Sequence, residues 1–162
     1  MSWLLNGLPL HPLIVHAAVV AIPVTSLLAI AAAWIVRVRD WLGIVFPLIA
    51  SAATVATLLA QESGEALAEQ MAQTAAITAH SDIAELAVVA AALLMAVAWA
   101  QWIWMHIFVR PRRGRTEARV TDPRAARGVS IGISVVQTAV AIFAIVAVVI
   151  VGDTGAQAVW LG

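Results

Sequence analysis

The chain has 162 residues, of which 63% are hydrophobic and only 11% charged, with nine basic residues against nine acidic ones. So little polar surface cannot cover a soluble domain of this size, so the composition excludes one and points to an integral membrane protein. With no cysteine, a disulfide framework, a thiolate metal centre and a Cys-linked haem are excluded as well.

Runs of about 20 apolar residues, enough to cross ~30 Å of hydrocarbon, occur four times, at roughly 13–36, 41–60, 83–109 and 129–151. They are rich in Ala and Leu and lack the two-residue alternation of barrel strands. The expectation is therefore an all-α, up-down four-helix bundle forming one domain over residues 1–162.

The first span opens at His11-Pro12-Leu13-Ile14-Val15-His16. Pro12 suits a first helical turn, where its missing N–H costs nothing. Pro23 predicts a kink, with Thr25 or Ser26 helping to satisfy the freed carbonyls. Arg37-Val38-Arg39-Asp40 makes a hairpin so short that spans one and two must be antiparallel neighbours. Span two carries Ala50, Ser51, Ala52, Ala53 and Ala56, small residues that let backbones approach closely.

From Gln61 to Ala79 the chain turns polar. Glu62, Glu65 and Glu69 follow helical spacing opposite Leu67 and Met71, which predicts a short amphipathic helix on the outer face between spans two and three. Asp82 with Glu85 resembles a capping box opening span three, and His80 stands just before it. Trp99, Trp102, Trp104 and His106 gather at the other end of that span as an interfacial aromatic belt. Seven arginines between Arg110 and Arg127 form a basic segment suited to an anionic leaflet, with no aromatic interleaving to support nucleic acid binding. Span four has Ser130, Ser134, Gln137 and Thr138 as expected interhelical hydrogen bonders, and it exits through Gly152-Asp153-Thr154-Gly155-Ala156.

All nine basic residues are Arg, and they fall in the two loops that join spans one to two and three to four. The positive-inside rule assigns those loops to the cytoplasm and both termini, with residues 61–82, to the outside of the cell membrane. This puts His11, His16, His80, Glu62 and Asp153 on one side and His106 on the other. Between the outer rim and His106 no span holds an ionisable residue, which argues against a transport cycle through the middle. No Walker loop, dinucleotide fingerprint or Gly-x-Ser-x-Gly elbow supports enzyme chemistry, and the question of an activity stays open.

The outer histidines carry two expectations of different kinds. In the first, His11, His16 and His80, with Glu62 or Asp153, bind a divalent ion, Zn or Cu, because three imidazoles and one oxygen make a common four-coordinate set. Residues five apart point about 140° apart on a helix, so His11 must lie on a non-helical lead that folds back, which leaves His16 as the firmer ligand. In the second, His16 and His80 are axial ligands of one haem b between spans one and three, which an up-down bundle places diagonally opposite. A third reading needs no cofactor: the helices pack, and the chain is a structural or accessory subunit. The expected partners are the lipid bilayer and either another copy of the chain or a larger membrane complex.

Leu8-Pro9-Leu10-His11-Pro12-Leu13-Ile14-Val15-His16, together with Ser63-Gly64-Glu65-Ala66-Leu67, His80 and Gly152-Asp153-Thr154-Gly155-Ala156, resembles a bacterial family of small four-span membrane proteins filed as domain of unknown function 2231. The resemblance covers almost the whole chain. It implies a four-span fold without implying a chemistry, and the architecture is similar to that of four-helix cytochrome b membrane domains.

Overall fold

The computed structural model describes residues 4–5, 8–9, 11–70, 74–109 and 122–160. The lead forms a two-residue antiparallel pairing of β1 (Leu4–Leu5) with β2 (Leu8–Pro9). Everything else of regular structure among the described residues is helical: α1 (His11–Trp34), α2 (Val36–Leu42), α3 (Val45–Ala68), α4 (Ala75–Ile103) and α5 (Pro123–Trp160). The end of α4 widens into a π-helical turn, Trp104–Val109. Four of these helices are long and apolar enough to cross a bilayer, which makes the chain a multi-pass membrane protein.

The four long helices form a square. α1 and α4 each pack against both α3 and α5, while α1 and α4 face each other across the diagonal with little contact. The buried faces are lined by alanine: Ala29 and Ala32 on α1, Ala50 on α3, Ala90 and Ala98 on α4, Ala141 and Ala144 on α5. Small side chains bring helix backbones close enough for dispersion to hold them, since lipid leaves little hydrophobic drive between helices.

Several element boundaries differ from the expected ones. The hairpin at residues 37–40 is itself helical, within α2, and the reversal falls at Gly43, whose positive φ of 49° suits a residue without Cβ. No separate amphipathic helix follows span two among the described residues. Gln61 to Ala68 extend α3 without a break, because Ala66, Leu67 and Ala68 are strong helix formers and the single Gly64 is tolerated between them. Met71 lies outside the described residues. Asp82 does not cap the third span either. The Thr74 hydroxyl does, accepting from the Ile77 N–H at 3.3 Å, so α4 begins earlier and carries His80 within it. α1 runs as one helix through Pro23, and the hydroxyls of Thr25 and Ser26 make no hydrogen bond among the described residues. Of the arginine segment, only Arg124 and Arg127, at the start of α5, are described.

The half of the bundle nearest the arginines is cross-tied. Three indoles donate to hydroxyls on neighbouring helices: Trp34 to Thr138 at 2.9 Å, Trp99 to Ser51 at 3.1 Å and Trp104 to Ser130 at 2.9 Å. Ser134 donates to the Ala33 carbonyl at 2.9 Å and Gln137 to the Ala29 carbonyl at 2.7 Å, so all four polar residues expected to bridge helices from span four do so. His106 stays local, donating to the Trp102 carbonyl and stacking on the Trp102 ring. Removing one acceptor, as in Ser130→Ala, is expected to destabilise the bundle by about 0.6 kcal/mol, the usual size of an interhelical bond in a membrane protein, measured by reversible unfolding in mixed micelles.

Candidate functional site

At the opposite end the packing gives way to a cavity of about 520 Å³, a size suited to a cofactor or small ligand. All four long helices line it. Its lining is mainly apolar, with Ile22, Val88, Val148 and Val151 among it, and His11, His16 and His80 border it.

His11 is the first residue of α1, so the imidazole is fixed by the helix start and not by a lead that folds back. Its Nδ1 lies 3.1 Å from the Ala60 carbonyl and 3.0 Å from Ser63 Oγ, both on α3. Ser63 gives its own hydroxyl proton to the Ala60 carbonyl at 3.0 Å. A carbonyl only accepts, so the proton between these groups sits on Nδ1, and the neutral imidazole presents a bare lone pair at Nε2.

His80 repeats this arrangement on the diagonal helix. Its Nδ1 is 3.1 Å from Thr154 Oγ1 on α5, and Thr154 donates its hydroxyl to the Val151 carbonyl at 3.0 Å. With that hydroxyl turned to the carbonyl, Oγ1 accepts from Nδ1–H and again leaves Nε2 as a lone pair. Each ring also lies over a glycine of the helix that holds it. A Cβ on Gly64 would stand 2.8 Å from His11 Cε1, and a Cβ on Gly155 would stand 3.1 Å from His80 Cε1.

The two cradles are therefore the same device used twice: Glu62-Ser63-Gly64 on α3 and Asp153-Thr154-Gly155 on α5. Helix-bearing-histidine followed by helix-bearing-cradle occurs first as α1 and α3, then as α4 and α5. From residue type alone the acids of the two segments are the obvious ligands, whereas the hydroxyl and the glycine are what meet the histidines. An acid-hydroxyl-glycine triplet recurring near the ends of spans two and four was the signal that could have found them.

The remaining expected site residues are placed differently. His16 borders the cavity but is exposed, and its Nδ1 bonds the Pro12 carbonyl of its own helix. Glu62 and Asp153 are exposed and do not line the cavity, and Asp153 accepts from Gln157 at 2.8 Å. The reason is angular: successive helical residues turn by about 100°, so pointing Ser63 and Gly64, or Thr154 and Gly155, at a histidine turns the preceding acid away. The carboxylates that do reach the cavity are Glu65, held by Gln61 at 2.9 Å, and Glu85. Among the described residues no three His, Asp or Glu side chains converge as a metal ion requires.

Both imidazoles border the same cavity, and each uses Nδ1 on its cradle. His11 and His80 would be the residues to hold a group that takes two imidazole nitrogens and brings its other ligands with it. No protein-family profile, curated protein or solved structure matches this chain.

Proposed function

We propose that the chain is a membrane redox protein that holds one haem b between His11 and His80. The observation that carries this reading is the matched pair of tautomer-fixing cradles, which leave one lone pair on each of two diagonal helices bordering an apolar cavity. The pair differs from the expected His16 and His80, because His11 and His80 are held across helices whereas His16 bonds only its own turn. When bound, haem supplies one-electron chemistry. The chain's own part is to fix both imidazoles and to line the group mainly with apolar side chains.

The arginine distribution orients this site toward the outside of the cell membrane. A single redox group near one face does not carry electrons across the bilayer unaided, so the protein serves an outer donor or a partner complex. Membership of the four-span family filed as domain of unknown function 2231 belongs to the same reading.

An optical spectrum of the purified protein tests it: a Soret band that shifts on reduction is expected, at one haem per chain. A colourless protein with stoichiometric Zn or Cu would replace this reading by the divalent-ion one, which His16 supports by bordering the same cavity as His11 and His80. A protein without either would leave the accessory-subunit reading.

The cradle hydroxyls have graded effects in this scheme. Thr154→Val removes the one acceptor recorded for His80 Nδ1–H and is expected to weaken haem binding by about 10–100-fold, the usual cost of losing an outer partner of a ligating histidine. Ser63→Ala should cost less, since the Ala60 carbonyl still holds His11. Haem titration of the apoproteins gives both values.

A further inference from the structure

We infer that the bundle binds internal water about one helical turn below the cavity floor, at a site formed by Thr25, Ser26 and Gln137. All three side chains are 0% exposed, and Thr25 Oγ1, Ser26 Oγ and Gln137 Oε1 have no hydrogen-bond partner among the described residues. Buried hydroxyls and amides are costly to leave unpaired, the more so inside a membrane protein.

The two hydroxyls break a pattern kept elsewhere in the same bundle. Ser51, Thr54, Thr57, Ser130 and Thr138 each donate to the carbonyl four residues earlier in their own helix, at 2.8–2.9 Å. Thr25 and Ser26 make no such bond. The orientation of the Gln137 amide is equally constrained: Nε2 must face the Ala29 carbonyl at 2.7 Å, so Oε1 is obliged to look elsewhere for a donor.

Ile22, Thr25, Ser26 and Ala29 follow one another along the buried face of α1, and Ile22 lines the cavity. Gln137 meets α1 at Ala29, so the unpaired oxygens lie at successive levels along α1, between the cavity floor and the Gln101–Gln137 contact at 3.4 Å. Pro23 adds to this level, because it has no N–H to give the Val19 carbonyl. Ala141 and Ala144, one and two turns beyond Gln137 on α5, are small and fully buried. Water supplies what each group lacks: it donates to Oε1 and accepts from the hydroxyls, and a buried water held by two to four polar partners is a stable part of a fold. The site gives the floor of the cavity a polarisable backing at a depth where the chain has no ionisable side chain. It does not depend on what fills the cavity.

The double variant Thr25→Val with Ser26→Ala tests the site through the sign of its effect. Loss of bound water is expected to lower the melting temperature in detergent by about 2–4 °C or more. An unchanged or raised melting temperature would overturn the inference, because replacing truly unpaired hydroxyls by apolar groups relieves a penalty. Should the variant fail to accumulate, water-to-protein magnetisation transfer in wild-type protein in bilayers decides: Thr25 and Ser26 signals should build up faster than those of Ala29 and Ala144, and equal rates would refute it.

Discussion

Replacing His11 or His80 by alanine is expected to abolish the Soret absorption, with haem affinity falling by more than about 100-fold in each variant. Loss of an outer partner alone costs about 10–100-fold, and removal of the ligating ring itself must exceed that. His16→Ala and His106→Ala should retain the wild-type spectrum, the first because its imidazole is held only by its own turn, the second because it lies among the tryptophans at the far end of α4. Spectra of the four variants at matched protein concentration make the comparison. Retention of a full Soret band in His11→Ala, or its loss in His16→Ala, would return the axial role to His16.

The second large effect concerns a residue with no functional group. Gly64→Ala is expected to remove most of the haem while leaving the apoprotein folded. Its Cβ would come within 2.8 Å of His11 Cε1, so the ring must leave its seat over α3 and lose its bonds to Ala60 and Ser63. The helix itself gains from alanine, by up to about 1 kcal/mol in intrinsic propensity, so unfolding of the apoprotein should show no loss. Gly155→Ala should act in the same direction more weakly, because the corresponding approach to His80 is 3.1 Å and asks for a displacement of tenths of an ångström. Thermal melts of apo and haem-loaded protein separate the two contributions. A Gly64→Ala protein that binds haem normally would show that the ring does not need its seat over Gly64.

Much of the architecture was legible in the residues. Four apolar runs specify four helices, and Ser130, Ser134, Gln137 and Thr138 were readable as interhelical bonders because few other groups in span four can hydrogen-bond. Helix ends were less legible. Residues 61–68 are polar enough to suggest a separate surface helix, yet polarity does not end a helix, and nothing in that stretch breaks one. Asp82 and Glu85 had the spacing of a capping box, but Thr74 had already opened the helix two turns earlier.

The site divides along the same line. Residue type and level along the bundle were set by the chain alone: three of the four histidines at one end with six of the nine acids, and His106 with the arginines at the other. Which side chains face one another was not, because a helix turns by about 100° per residue and a shift of one position exchanges a cavity wall for lipid or solvent. Helix packing made that choice. It turned Ser63 and Gly64 toward His11, and Thr154 and Gly155 toward His80, and so placed Glu62 and Asp153 outside the cavity. Composition and periodicity thus determined a four-helix membrane bundle with His11, His16 and His80 at one end. The pairing of His11 with His80 across the diagonal was decided by the tertiary structure, through the rotation of each helix about its own axis.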